Sequence, residues 1–314
     1  MNNTIVTKLL AAFNDEKFTL AQAYTICVEK QWKEASIRAR IYENIGILFK
    51  RVSRGVYKGV IEGVQCVFIN GDGRNLSMIK DNSIDCIITD HPWIDKVSHV
   101  GGSRKFANYG DGLSFNYSDE DFAEKYRVLT PGSFLVEFLP VETEANFMEL
   151  YRIKTMAIKY FKYYALLPYY EVNKIRNTGR QTKSGGQLLI LSKGKARSLR
   201  PDQKKNYQKG IENGFFMSGT SAMLPIYFSG EIKPKNEQIH KSEKSVNIIK
   251  QLIAFVTQKG ELILDQFAGS GAIATACFEL NRFNISIEKD ECTFNRAVDQ
   301  MLQNKIPVLA LGYT

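Results

Sequence analysis

The pattern of apolar positions divides the 314-residue chain in two. In the first sixty residues apolar side chains recur at helical spacing, with Ile5, Leu9 and Phe13 on one face and Ile37, Ile41, Ile45 and Leu48 on another. The spacing predicts helices over 4–13, 19–32 and 36–51, with Ser36 as N-cap of the third, and a short basic hairpin over 51–58. From residue 61 the pattern changes to short continuous apolar runs alternating with amphipathic stretches. Such runs suit strands buried on both faces of a parallel sheet. Strands are predicted at 64–70, 83–90, 133–139, 163–170, 186–192, 261–264 and 283–287, and helices near 74–80 and at 119–128, 144–161, 242–257 and 272–280. Alternation of this kind predicts an α/β fold. Residues 195–238 show no clear period, and Val97 to Gly112 is a glycine-rich loop with the composition of a flap over a site.

Two of the strands end on chemically specific segments. The run 83–89 leads into Asp90-His91-Pro92-Trp93, and the run 261–264 leads into Asp265-Gln266-Phe267-Ala268-Gly269-Ser270-Gly271. The second is a strand, a glycine turn and a helix, and the next strand ends on Glu288, 23 positions after Asp265. That is where a nucleotide-binding βαβ unit places the carboxylate that accepts from ribose hydroxyls. The turn lacks the third glycine of G-x-G-x-x-G, and G-x-x-x-x-G-K-[ST] occurs nowhere in the chain, so a nucleoside without phosphates fits better than a dinucleotide or ATP. Alone, Asp90 reads as a turn residue and Phe-x-Gly-x-Gly as a tight turn; the order of strand, loop, helix, strand and acid favours the cofactor reading.

Six segments in order carry a family resemblance: Gly71-Asp72, the Asp90 tetrad, Leu129-Thr130-Pro131-Gly132, Leu191-Ser192-Lys193-Gly194-Lys195, His240 to Ser245, and the glycine loop. Over roughly residues 64–300 the chain resembles the beta-class S-adenosylmethionine-dependent DNA amino-methyltransferases, the adenine-N6 and cytosine-N4 family, in which the catalytic motif precedes the cofactor motif. The resemblance implies a Rossmann-like methyltransferase fold with permuted motif order over 61–314, a short target-recognition region at 195–238, and S-adenosyl-L-methionine as cofactor. It implies that Asp265, Phe267, Ala268, Gly269, Ser270, Gly271 and Glu288 hold that cofactor, with Asp72 and Phe267 toward its adenine and Lys244 or Ser245 toward its carboxylate. Asp90, His91, Pro92 and Trp93 correspond to the family's Asp-Pro-Pro-Tyr catalytic motif. Two residues depart from it: His91 replaces a proline and frees φ at that position, and Trp93 replaces tyrosine with a larger stacking face that has no hydroxyl.

The chemistry explains the residue types. An exocyclic amino group is a poor nucleophile because its lone pair is delocalised into the base, and two acceptors aimed at its N–H bonds favour a pyramidal nitrogen. The Asp90 carboxylate and the carbonyl of His91 or Pro92 supply such a pair, and Trp93 would stack on the flipped base. Aspartate in the first position is the family habit for adenine, so the expected activity is transfer to the 6-amino group of adenine in DNA. Cytosine-N4 or RNA methylation by the same fold stays open, as does a catalytically weakened DNA-binding regulator.

Charge adds a partner. From Glu171 to Lys209 there are 11 Lys and Arg against 2 acids, an excess equal to the +9 of the whole chain. Arg176, Arg180, Lys183, Lys195, Arg197, Arg200, Lys204 and Lys205 are therefore candidates for phosphate contacts, against the commoner reading of a solvated charged face. Residues 1–60 are similar to a winged-helix module whose third helix would offer Arg38, Arg40 and Lys50 to DNA; packing on the catalytic domain or dimerisation is the alternative. DNA is thus the expected macromolecular partner, a homodimer is left open, and the resemblance admits a companion restriction endonuclease. Five cysteines without a C-x-x-C pair read as reduced, and His240 has no companion at ligand spacing, so no metal is expected. With no run of transmembrane length and no signal-peptide layout at Met1-Asn2-Asn3-Thr4, the expected location is the cytoplasm, with no membrane partner.

Overall fold

The computed structural model describes residues 9, 12–13, 16–27, 32–43, 49–59, 65–93, 115–173, 185–197, 224–234, 236–239 and 243–312. The larger part of the chain contains β4 (Cys66–Asn70), β5 (Ile84–Thr89), α3 (Asp119–Val128), β6 (Leu129–Leu139), α4 (Phe147–Tyr160), β7 (Lys162–Glu171), β8 (Gly185–Ser192) and β9 (Phe228–Gly230). It continues with α5 (Val246–Val256), β10 (Leu262–Asp265), α6 (Ala272–Glu279), β11 (Phe283–Glu288), α7 (Glu291–Gln303) and β12 (Val308–Gly312). The strands form one nine-stranded sheet in the order β12-β4-β11-β10-β5-β6-β8-β7-β9. From β12 to β6 neighbours run parallel; β8 is antiparallel to both β6 and β7, and β9 is parallel to β7.

Both faces of the sheet are covered, which is why its central strands read as unbroken apolar runs. Cys86 and Ile88 of β5 face Ile248, Ile249, Leu252 and Ile253 of α5 and Ile273, Ala276 and Cys277 of α6. Ile84 and Ile87, on the other face, meet Phe122 of α3 and Leu150, Ile153 and Ala157 of α4. The chain leaves β10 through α6 toward β11, and leaves β5 through α3 toward β6. Connections from two adjacent parallel strands thus depart in opposite directions along the sheet. That divergence opens a crevice at the strands' carboxyl ends, the usual ligand position in an open α/β sheet.

The first part of the chain contains β1 (Lys17–Thr19), α1 (Leu20–Cys27), α2 (Glu34–Glu43), β2 (Phe49–Ser53) and β3 (Val56–Gly59). The strands make a separate antiparallel sheet in the order β1-β3-β2. Its core gathers Leu9, Phe13, Phe18, Ala23, Cys27, Ile37, Ile41, Phe49 and Tyr57, with Phe13 stacked on Phe18 at 4.5 Å between ring centroids. Leu302 of α7 and Leu309 of β12 pack against this cluster, so the module is fastened to the outer edge of the large sheet.

Several elements differ from the sequence expectation. The third helix begins at Glu34, so Ser36 lies inside it, and Phe49 to Ser53 form a strand. Residues 74–80 form successive turns: Asp72 Oδ1 accepts from the Arg74 N–H at 3.0 Å and Asn75 Oδ1 from the Ser77 N–H at 3.1 Å. Such side chains offer the backbone an alternative to helical bonds. The helix expected from 242 starts at Val246, where the Ser245 side chain caps it by accepting from the Ile248 N–H. Strands β1, β9 and β12 and helix α7 were not anticipated. The helix expected at 4–13 and the flap at 97–112 lie largely or wholly outside the described residues.

Candidate active site

Register brings the two sequence segments together. Ile263 and Leu264 of β10 pair with Cys86 and Ile87 of β5, so Asp265-Gln266-Phe267 and Thr89-Asp90-His91 leave the sheet side by side, about 4.8 Å apart in the strand-to-strand direction. Strand β11 flanks β10 with Ser286 opposite Asp265, and β4 flanks β11 with Asn70 opposite Glu288. Four strand ends therefore converge, carrying Asp90, Asp265, Glu288 and the turn at Gly71-Asp72.

The half of this crevice around β10, β11 and β4 is built from backbone. Gly269 and Gly271 have φ of +51° and +76°, a region in which side-chain-bearing residues are strained. Glu288 fastens that loop, since its Oε2 accepts from the Gly269 N–H and its Oε1 from the Asp290 N–H, each at 2.8 Å. Burial, partly offset by these bonds, pushes the Glu288 carboxyl above its ordinary value. Each of its oxygens keeps a second lone pair for a hydroxyl. Asp265 is buried and raised well above the usual carboxylate range by burial; its Oδ1 accepts from the Phe267 N–H at 3.2 Å and shapes the turn. Asp72 is exposed beside Glu288, with Lys289 Nζ 3.1 Å from its Oδ2. Gly73 is a residue the sequence reading missed: a Cβ there would lie 1.8 Å from the Gln266 carbonyl oxygen, so only glycine lets the Asp72 turn close on the exit of β10. Ala268 and Ser270 are buried within the loop.

The half around β5 and β6 is built from side chains. Asp90, at the end of β5, forms an ion pair through Oδ2 with Lys244, the residue before the α5 cap. Burial works against the charge on Lys244, yet Asp90, Tyr169 and Glu171 hold its pKa above the ordinary lysine value. Lys244 thus engages one oxygen of Asp90 in a charge-assisted contact. Ser245, beside it, is occupied as the helix cap and donates to the Glu231 carbonyl at 2.6 Å. His91 turns inward, 3 % exposed, with Tyr117, Phe115 and Trp93 ring centroids at 4.2, 4.6 and 4.7 Å and Phe267 at 6.2 Å. Burial, aided by Lys125, Arg74 and Arg152, lowers its pKa well below the ordinary histidine value, so the imidazole is neutral.

Beneath His91 lies a second layer. Lys125 of α3 and Glu137 of β6 form a fully buried ion pair, Tyr117 donates to the same carboxylate at 3.0 Å, and the Lys125 ammonium sits 3.8 Å above the Tyr117 ring. Glu137 lies opposite Thr89, one residue before Asp90. Three of the seven buried polar atoms without a partner among the described residues, Thr89 Oγ1, His91 Nδ1 and Gln266 Oε1, flank Asp90 and Asp265. Unsatisfied groups concentrate where a fold serves function.

The candidate DNA contacts separate. Arg197 is paired with Glu261 at 2.6 Å and donates to the Asp85 carbonyl at 3.3 Å, at the amino ends of β10 and β5. Exposed Lys195 lies on the same side. These two residues are about one strand length, ~20 Å, from the crevice. Arg176, Arg180, Lys183, Arg200, Lys204 and Lys205, and His240, lie outside the described residues. Arg38 and Arg40 are exposed on α2. Among the described residues no cluster of metal-ligating side chains occurs, and no helix is long and apolar enough to cross a membrane.

Comparison with known proteins converges on this crevice. A family model described as DNA methylase, of the N6/N4 type, matches residues 84–299. Type II methyltransferase M.HpaI of Haemophilus parainfluenzae is 26 % identical over 220 residues, covering 68 % of this chain and 67 % of the relative. The structure of the M1.HpyAVI complex with SAM superposes with a TM-score of 0.51 at 18 % identity, covering 75 % of this chain and 99 % of that one. The cytosine-N4-specific PvuII DNA methyltransferase superposes with a TM-score of 0.53 at 14 % identity, covering 79 % and 95 %. The structural likenesses show the fold, and the family match spans 84–299, which includes both the Asp90 tetrad and the glycine loop: the chain belongs to the N6/N4 family of DNA methylases.

Proposed function

We propose that this chain transfers a methyl group from S-adenosylmethionine to the 6-amino group of an adenine flipped out of DNA. The observation that carries the proposal is the position of Asp90: a carboxylate pinned by Lys244 at the divergence of β5 and β10, beside a nucleoside-type cradle. The residues of that cradle fit the cofactor. Glu288 has lone pairs for ribose hydroxyls, the 269–271 turn has glycine backbone, Asp72 and Phe267 would lie toward the adenine by resemblance, and the sequence has no G-x-x-x-x-G-K-[ST] motif to contradict a phosphate-free ligand. Bound there, the cofactor would supply an electrophilic methyl group on a sulfonium, whose S–C bond would break as the N–C bond forms and leave a neutral thioether.

The chain's own residues do the rest. Asp90 Oδ2 is engaged by Lys244, which leaves Oδ1 to accept one N–H of the target amino group while the carbonyl of His91 or Pro92 accepts the other. The proton that leaves the nitrogen as the new N–C bond forms is taken by Asp90 and passed to water. Trp93 supplies a stacking face worth about 1–3 kcal/mol, which offsets part of the cost of unstacking the base. Aspartate at position 90 supports adenine over cytosine by the family habit. The test is incubation of the full chain with tritiated S-adenosylmethionine and DNA, followed by nucleoside analysis. Label in N6-methyldeoxyadenosine is expected; label in N4-methyldeoxycytidine overturns the choice of base, and no transfer overturns the activity.

A further inference from the structure

We propose that the N-terminal module is a second duplex-DNA contact, laying α2 and the β2–β3 hairpin on phosphates beside the target base; the proposal rests on DNA being the substrate of the crevice. The first observation is how little of this surface packing uses. Of the described side chains of α2, only Ile37 and Ile41 are buried, while Glu34, Ala35, Ser36, Arg38, Ala39, Arg40 and Tyr42 are exposed. Strand β2 is stranger still. After Phe49, four consecutive residues, Lys50, Arg51, Val52 and Ser53, are exposed, and Arg54 continues the exposure into the turn. A strand that packs on one face buries every second residue, so a run exposed on both faces is an open sheet edge, with β3 beside it keeping Tyr57 in the core.

The second observation is continuity. Tyr42 on α2 lies 6.0 Å from Tyr57 of β3, and Tyr57 pairs across the hairpin with Arg51. The outer face of α2 and the open edge of β2 are therefore neighbouring parts of one surface. Helix α2 carries Arg38 and Arg40 against Glu34 and Glu43 and is neutral on balance, with Glu34 in its first turn where it suits the helix dipole, so the positive excess of this surface lies in Lys50, Arg51 and Arg54. A basic strand edge beside two exposed helix arginines complements a phosphate backbone.

The third observation is placement. Leu302 and Leu309 fasten the module to β12 and α7. Strand β12 is four positions from β5 in the sheet, about 19 Å at ~4.8 Å per strand, and Leu309 is level through the registers with Val67, Ile285, Leu264 and Ile87, three residues or ~10 Å short of Asp90 along the strands. The anchor thus lies ~22 Å from Asp90, and at ~3.4 Å of rise per base pair that separation corresponds to about six to seven base pairs. A duplex delivering its flipped base to Asp90 and running toward β12 therefore meets the module within one helical turn.

The test uses the full chain carrying Arg38→Ala, Arg51→Ala and Arg54→Ala together, all exposed positions, so folding is not at stake. Affinity for a mixed-sequence duplex of about 30 base pairs is measured as salt is varied, without methyl transfer as a readout. At ~0.9 in the slope of log affinity against log salt for each phosphate contact, the triple variant should lower the slope by roughly 2–3 and weaken binding tenfold or more near physiological salt. S-adenosylmethionine affinity and turnover at saturating DNA should be unchanged, and the Arg→Lys triple variant should retain most of the slope. A wild-type slope in the Ala variant overturns the proposal, and a simultaneous change in sedimentation would assign the surface to self-association instead. Failure of the wild-type chain to methylate DNA would sink the activity proposed above and leave this binding result standing.

Discussion

The two halves of the crevice are built by different means. On the β10–β11–β4 side, polar groups come mostly from backbone, shaped by Gly269, Gly271 and Gly73 and held by one carboxylate, Glu288. On the β5–β6 side, a stack of side chains runs inward from Asp90 through His91 and Tyr117 to the buried Lys125–Glu137 pair. The first half is shaped in part by local sequence, because turn geometry is set by residues within a few positions, although Gly73 meets Gln266 across 193 positions and Glu288 meets Gly269 across 19. The second needs partners from far along the chain: Lys244 is 154 positions from Asp90, and Glu137 is 20 from Tyr117. A backbone cradle suits a cofactor whose shape never varies, whereas side chains can fix charge and orientation at the reacting atom. The two halves should therefore fail differently when altered.

The largest separation should come from Asp90→Ala. Removing the acceptor of the target amino group takes away an interaction made most strongly in the transition state, so turnover should drop by about 10²–10³-fold or more, the scale of losing one preorganised hydrogen-bonding group. Cofactor affinity by calorimetry should stay within about threefold of wild type, since Asp90 lies outside the backbone cradle. Equal losses in both measurements would show that the halves are not separable.

Next in size is the support of the catalytic half. Breaking the Lys125–Glu137 pair with Lys125→Met strands a buried carboxylate and should destabilise the fold by about 3–5 kcal/mol, while Lys125→Met with Glu137→Leu should recover most of that loss. Burial opposes the charge on both partners, pushing Lys125 down and Glu137 up, which is why an unpaired partner is costly. Urea unfolding of the three proteins checks this. If the single variant were as stable as the double, the pair would not be charged in the native state.

This contrast also explains what was legible in the sequence. The strand–glycine–helix order and the spacing to Glu288 pointed to the backbone-built half of the crevice, because each step carries its own pattern. The Asp90 tetrad pointed to the other half, but its surroundings were hidden. Lys244 was expected toward the cofactor's carboxylate by resemblance, and the structure pairs it with Asp90, a contact made only when the approach to α5 folds over β5. Tyr117, Lys125 and Glu137 had no motif at all; the one available hint was Glu137, an ionisable residue within the otherwise apolar run 133–139. The basic run at 171–209 misled in part, since Lys195 and Arg197 follow β8, an antiparallel strand that carries them to the opposite end of the sheet. The turns at 74–80 were missed because asparagine and aspartate side chains capture the backbone before a helix can form.

A smaller effect sharpens the cofactor half. Glu288→Gln keeps the shape but loses the charge-assisted acceptors, so S-adenosylmethionine affinity should fall by about 10–30-fold, the range of a hydrogen bond to a charged group. The sign of the pH dependence follows from burial raising the Glu288 carboxyl. Ribose hydroxyls need the ionised form, so wild-type affinity should decline on acidification at a higher pH than an ordinary glutamate would give, and the Gln variant should lack that decline. An identical pH profile in the two proteins would mean that another group holds the ribose.

The subtlest test concerns His91, where the family has proline. Its buried imidazole is held neutral, so the native protein refuses a proton that the unfolded chain takes up below about pH 6.5. A histidine whose native pKa is depressed makes the fold lose stability as pH falls through that ordinary value, by at most ~1.4 kcal/mol per pH unit for the single site. In His91→Pro that liability disappears, while the ring contacts with Tyr117 at 4.2 Å and Phe115 at 4.6 Å are lost. The variant should therefore be less stable than wild type by about 1–3 kcal/mol near pH 8, the range for losing buried packing, and the gap should narrow steadily toward pH 5. Turnover of the two proteins should show the same acidic limb, because His91 carries no proton in either arm of the reaction. A limb near pH 6.5 present in wild type and absent from the proline variant would instead make His91 a titrating member of the site, which its burial among four aromatic rings argues against.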